Sequence, residues 1–167
     1  MKIIVEEARV EDKDKIISIF KESFKDPDKY WVLRDLRYTY VLIARLGEEV
    51  IGAEELYYTS VEGLGGLGVI YYIAVKKEWR RLGIGSLLVR KAENIFKEWG
   101  CAYSAASTRS SNTASIALFT KLGYKMYTVG DEMYRKLVAP LYAWEDDIIF
   151  IRSLGRNIEA PGFRPQS

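Results

Sequence analysis

The chain reads as a mixed α/β fold, a mostly antiparallel sheet of six to seven strands flanked by about four helices. Three observations predict it. Two β-rich runs, YTYVLIARL at residues 38–46 and VIGAEELYYT at residues 50–59, are separated only by Gly47-Glu48-Glu49, the pattern of a hairpin. The run VIYYIAV at residues 69–75 is almost continuously apolar, as expected of a strand covered on both faces. From Gly83 the period turns helical, with Ile84, Leu87, Leu88, Ala92, Ile95, Phe96 and Trp99 on one stripe.

In chain order, residues 3–5 predict an opening strand. Glu11 and Asp12 supply the acidic start of a first helix carried by Ile16, Ile19, Phe20 and Phe24. It ends before Asp26-Pro27, because proline disfavours helical geometry in the residue before it. Residues 27–37, with Tyr30, Trp31, Leu33 and Leu36, predict a short second helix. The hairpin, the central strand and the long helix follow, and Gly100 sits where a helix ends in left-handed geometry. Residues 101–107 predict a further strand. Asn112 caps a helix striped by Ser115, Leu118, Phe119 and Leu122 and closed by Gly123, and residues 124–129 and 147–154 are the last strands. Residues 130–146 read as a long loop and residues 155–167 as a frayed tail, leaving one domain over residues 1–154.

Composition excludes several chemistries. A length of 167 residues suits one domain with an ample core. Lys+Arg 25 against Asp+Glu 23 leaves a charge of +2, too small to favour a nucleic-acid binder built on Lys76, Lys77, Arg80, Arg81, Arg90 and Lys91. The sequence has no His, which removes imidazole-dependent triads and His-containing zinc sites. Cys101 is the single cysteine, so neither an internal disulfide nor a CxxC knuckle can form and no metal is expected. The start MKIIVEE turns acidic after three apolar residues, and no run approaches the roughly 18 apolar residues of a membrane span. The expectation is a cytoplasmic protein without membrane association.

Two glycine-rich stretches have the composition of phosphate loops. Gly63-Leu64-Gly65-Gly66-Leu67-Gly68 matches GxGxxG in letters but opens a strand, so no helix N-terminus can face a ligand there. It reads as a flexible strand-to-strand loop and a candidate flap. Arg80-Arg81-Leu82-Gly83-Ile84-Gly85 instead leaves a strand and enters the long helix. Gly83 and Gly85 let backbone N–H groups approach an anion, the helix dipole adds positive potential, and Arg80 and Arg81 can add charge-assisted hydrogen bonds.

These residues resemble the acetyl-CoA signature of the GCN5-related N-acetyltransferase (GNAT) family: Arg or Gln, two residues, Gly, one residue, Gly or Ala. Residues 80–85 match it without a substitution, and residues 112–124, NTASIALFTKLGY, resemble the family's second block. The resemblance covers about residues 1–154. It implies a splayed central strand pair, acetyl-CoA as cosubstrate, and direct attack on its acetyl group by a primary amine of a protein N-terminus, a lysine or a small molecule. Carried over position by position, Ile73, Ala74 and Val75 pair with the pantetheine arm. The N–H groups of Arg81, Leu82, Gly83, Ile84, Gly85 and Ser86 hold the diphosphate, with Arg80 beside them and Lys76 and Lys77 near the ribose phosphate. Asn112 and Ser115 contact pantetheine and Phe119 lines the thioester end, although Asn112 serves equally as an N-cap and Phe119 equally as core.

The proton-handling groups do not carry over. Phe119 occupies the position of the family's common acid tyrosine, and Val69 and Ser107 occupy two positions that hold a glutamate base in some members. Glu54 and Glu55, consecutive on one strand, point to opposite faces, one of them toward solvent; with Tyr71 they are the catalytic candidates. Tyr57, Tyr58, Tyr72 and Tyr124 are further hydroxyls, and the main-chain N–H near Val75 is the expected oxyanion donor. For the acceptor, the resemblance points to residues 26–37, 60–68 and 130–146. Asp131, Glu132, Glu145 and Asp146 there, with Asp147 next to them, can attract a cationic amine, and Tyr142 and Trp144 can stack on it. Without an identified base, a non-catalytic acyl-CoA-binding module is the rival reading. Monomer and homodimer are both open.

Overall fold

The computed structural model describes residues 2–155; the expected tail lies outside them beyond Gly155. In chain order the described elements are β1 (Ile3–Glu7), α1 (Lys13–Ser23), α2 (Asp28–Asp35), β2 (Tyr40–Leu46), β3 (Glu49–Val61), β4 (Gly65–Val75), α3 (Ile84–Glu98), β5 (Tyr103–Thr108), α4 (Thr113–Lys121), β6 (Lys125–Thr128), α5 (Glu132–Leu137) and β7 (Ile148–Ser153). The strands form one seven-stranded sheet in the order β1-β2-β3-β4-β5-β7-β6. Pairing is antiparallel at β1/β2, β2/β3, β5/β7 and β6/β7 and parallel at β4/β5. The predicted elements are thus present. α5 is added where only a loop was expected, and short 3-10 turns precede α1 and α3.

The chain divides into two compact units, residues 2–57 with 72–92, and residues 58–71 with the described residues from 93 onward. In the first, Ile16, Ile19 and Phe20 of α1 and Val32 of α2 pack on Ile43, Val50, Ala53 and Ala74, with Val41 and Tyr72 at the margin. This sets one face of the sheet. The other face meets α3: a Cβ at Gly52 would stand 3.2 Å from Leu88 and 3.6 Å from Ile84. Ile84, Leu88 and Ala92 are buried as the stripe requires, whereas Leu87 is exposed and Val89, which the stripe omitted, is buried in its stead. At the outer strands a buried Arg45 holds Asp12 at 2.7 Å and Glu6 at 3.0 Å. The Arg45 guanidinium keeps Asp12 below the usual carboxylate range against the opposing pull of burial.

In the second unit Phe96 and Trp99 pack together, and a Cβ at Gly68 would overlap the Phe96 ring. Gly65, Gly66 and Gly68 belong to β4 itself, so only residues 62–64 form a turn and the expected flexible loop is half its predicted length. These glycines bring the strand close to its neighbours; Gly66 accepts a hydrogen bond from Ala102 N–H at 2.9 Å. Phe119 is core, stacked on Phe150 and edge-on to Tyr124, each at 5.0 Å. The Tyr124 hydroxyl donates to buried Glu93 at 2.8 Å and lies 2.7 Å from Ser104 Oγ, so this hydroxyl is engaged in a buried hydrogen-bond network. Burial, and then Glu93, push its ionisation far above the ordinary tyrosine range.

Candidate active site

The junction after β4 has the geometry its sequence implied. Leu87 N–H donates to Gly83 O at 3.1 Å, which makes Gly83 the residue from which α3 starts and leaves the amides of Ile84, Gly85 and Ser86 without helical acceptors. Gly83 has φ +83°, and a Cβ there would meet nothing within 4 Å. Arg81 also lies in the left-handed region, at φ 66°, a strained setting for a residue with a side chain and one that clusters at functional sites. Arg80, Arg81 and Leu82 are exposed. Bare amides, an open approach and two cations form a donor set suited to an anion such as a diphosphate.

Two basic residues have duties beyond those expected. Arg80 Nε donates to Val75 O at 2.8 Å, tying the end of β4 to the loop. Lys76 Nζ pairs with Glu49 at 3.3 Å, and its N–H donates to Ile51 O at 2.8 Å. Ala74 faces the α1/α2 core and is buried, while Ile73 and Val75 are half-buried.

Glu54 and Glu55 overturn the expectation that one faces solvent: both are 0% exposed. The alternation is correct, but β3 is covered on both sides. Glu55 shares the α1/α2 face with Ala53 and lies opposite Val41; Glu54 shares the α3 face with Gly52. Thr39 Oγ1 donates to Glu55 Oε1 at 2.8 Å, and Oε2 has no hydrogen-bond partner among the described residues. Burial, opposed by the Thr39 hydrogen bond and helped by the charge of Asp35, pushes the Glu55 carboxyl up to about 8, so it is protonated at neutral pH.

The second unit contains a different cluster. The parallel register of β4 with β5 runs from Leu67↔Tyr103 to Ile70↔Ala106, so Tyr71 and Ser107 are the first residues past the paired ladder. This is where the expected splay begins. Ser107 Oγ donates to Asp146 Oδ2 at 2.6 Å, and Tyr71 meets Tyr142 edge-on at 6.4 Å. The 130–146 segment is built, not loose. Tyr134, Leu137 and Leu141 are buried on α5 and its extension, Tyr134 OH donates to Asp146 O, and Arg109 Nε to Glu145 O at 3.1 Å. Hydrogen bonds from Ser110 hold Asp147 below the usual carboxylate range. Asp131 accepts from Thr128 N–H at 2.7 Å. The acidic run is therefore partly structural, while Tyr142 and Trp144 stay exposed.

Asn112 is exposed and its Oδ1 accepts from Ser115 N–H at 3.1 Å, the N-cap geometry of α4. Sequence reasoning missed the Thr39–Glu55 and Ser107–Asp146 pairs, whose partners lie 16 and 39 residues apart. No local periodicity signals such pairs.

Comparison with known proteins agrees with this architecture. The chain is 28% identical over 163 residues to an uncharacterized N-acetyltransferase of Methanocaldococcus jannaschii, covering 95% of this chain and 96% of that protein. It is 29% identical over 158 residues to an N-alpha-acetyltransferase of Sulfurisphaera tokodaii, covering 82% and 92%. An acetyltransferase of Bacillus subtilis in complex with CoA shares the fold with a TM-score of 0.70 at 21% identity, over 91% of this chain and 99% of that one. The family model described as Acetyltransferase (GNAT) family matches residues 5–124, and the chain belongs to that family.

Proposed function

We propose that this chain is an acetyl-CoA-dependent N-acetyltransferase that moves an acetyl group to a primary amine by direct attack, acting in the cytoplasm as a monomer or homodimer. The observation that carries the reading is the start of α3, where three amides without helical acceptors follow an open Gly83 and two exposed guanidinium groups. A diphosphate there accepts from the amides of residues 81–86 and neutralises Arg80 and Arg81. The pantetheine arm pairs with the main chain of Ile73, Ala74 and Val75. A main-chain N–H near Val75 polarises the thioester carbonyl. The leaving thiol, with an ordinary pKa of about 8.5, needs little help to depart. The attacking amine does need help, because an alkyl ammonium of pKa about 10.4 must lose a proton first.

The Sulfurisphaera tokodaii relative named as an N-alpha-acetyltransferase supports the α-amine of a peptide as acceptor. The exposed rings of Tyr142 and Trp144 support an acceptor that offers apolar or cationic surface. The test is thiol release from acetyl-CoA in the presence of peptides with free N-termini. Amine-dependent release, inhibited by CoA, is expected. Tight CoA binding with no release on peptides, lysine or polyamines would replace the enzyme with a binding module.

A further inference from the structure

We propose that Arg80 is a positioning residue of the acetyl transfer: its Nε–H holds the Val75 carbonyl and so fixes the aim of the Val75 N–H at the thioester, while its Nη groups serve the diphosphate. This rests on the acetyltransferase reading above, in which the main chain at Val75 polarises the thioester carbonyl and the start of α3 takes the diphosphate.

Lys76 N–H donates to Ile51 O at 2.8 Å, which ties the peptide between Val75 and Lys76 to β3. A trans peptide points its C=O opposite to its N–H, so the Val75 carbonyl faces away from β3. Within a strand a residue's own N–H and C=O point to the same side, and β4 runs through Val75. The Val75 N–H therefore also faces the side that β3 leaves free, where a donor can pair with the strand. Of these two groups the carbonyl is occupied, because Arg80 Nε donates to it at 2.8 Å. The N–H is what remains for the donor. Contacts on both sides thus fix the peptide that follows Val75, and the buried side chain of Ala74 anchors the one that precedes it in the α1/α2 core. A donor group aimed before the reaction stabilises developing charge without reorganisation.

Arginine suits two tasks at once. Nε lies within the side chain, and the Nη groups at its tip take no partner among the described residues. The neighbouring cations are disposed otherwise: Lys76 Nζ is paired with Glu49 at 3.3 Å, and Arg81 makes no hydrogen bond or ion pair among the described residues. Arg80 is therefore the cation whose side chain joins this loop to β4. A diphosphate on its Nη groups steadies the same planar fork that holds Val75, so donor recognition and carbonyl polarisation meet in one side chain. Glutamine carries its amide nitrogen at the same distance along the side chain as Nε, without the charge. Lysine puts a methylene there and its ammonium one atom further out.

The experiment uses the full chain, with thiol release from acetyl-CoA measured on tetrapeptides with free N-termini, and NMR of the ligand-free protein labelled at the valine carbonyls. Arg80→Gln keeps a nitrogen on the Val75 carbonyl and loses the charge, so KM for acetyl-CoA should rise about tenfold while kcat falls by no more than about threefold. Arg80→Lys keeps the charge and loses the carbonyl contact. Its kcat should fall about tenfold, a part of the roughly 100-fold that a misplacement of about 1 Å costs, with KM raised less than in Arg80→Gln. The Val75 carbonyl resonance should move upfield in Arg80→Lys and Arg80→Ala, where its hydrogen bond is lost, and hold in Arg80→Gln. A role as a point charge alone reverses the kinetic order, with Arg80→Lys closer to wild type in both constants. That order, or a Val75 carbonyl unmoved by Arg80→Ala, overturns the proposal. A wild type that binds CoA but releases no thiol with any peptide overturns the acetyltransferase reading itself, and the positioning role with it, even where the carbonyl shift records the contact.

Discussion

The glycines at 63–68 and those at 83–85 look alike in letters and do opposite work in space. A Cβ at Gly68 would overlap the ring of Phe96, whereas one at Gly83 would meet nothing within 4 Å. The first set makes room for the protein's own side chains within β4. The second keeps a helix start open to a ligand. The element that follows a glycine run, strand in one case and helix in the other, decides which use it has.

That contrast can be broken by substitution, beginning with the largest effect. Gly68→Ala forces a methyl into the Phe96 ring, and overpacking of this kind costs about 3 kcal/mol. For a chain of this size the melting midpoint should fall by roughly 10 °C. A midpoint equal to wild type would mean that the close approach does not matter. Gly83→Glu should do the reverse, raising the calorimetric Kd for CoA at least about tenfold while left-handed strain of about 1–2 kcal/mol costs only a few degrees. Adding Arg80→Ala should weaken binding further, and an affinity equal to wild type would remove the phosphate role from this loop.

A third variant lies in neither stretch and separates stability from ligand binding. Glu55 keeps its proton up to about pH 8 in the folded chain, whereas its ordinary value is 4.5. The unfolded chain therefore releases this proton first, and the group's contribution to stability falls as pH rises from 4.5 to 8, then levels off. Glu55→Gln should flatten that decline, melting higher than wild type at pH 8 by roughly 3 °C or more with CoA affinity unchanged. Identical pH dependence in the two proteins would show that Glu55 is ionised in the fold. The smallest effect is expected from Arg81→Gly. It relieves about 1 kcal/mol of left-handed strain and raises the midpoint slightly, while loss of the guanidinium weakens CoA binding a few-fold.

Much of the fold was legible because its signals are local. The hairpin turn at Gly47, the apolar run of β4 and the stripe of α3 each report on a few neighbouring residues, and each appears where expected. α5 was legible too, since Tyr134, Leu137 and Leu141 stand at helical spacing, but a single short turn within a polar stretch is easily read as loop. Burial of Glu54 and Glu55 was not legible. Alternation tells which face a residue takes, not what covers that face, and here helices cover both. The loop from Arg80 to Ser86 is continuous in sequence and was found. Ser107 and Asp146 are joined only by folding, so no reading of neighbours could have paired them.

Backbone amide shifts on adding CoA, compared with those on adding pantetheine, which lacks the diphosphate, test the central claim most directly. The account predicts large changes at Gly83, Ile84, Gly85 and Ser86 with CoA alone, and none at Gly65, Gly66 and Gly68 with either. Saturating CoA that leaves the amides of residues 83–86 unmoved would contradict it.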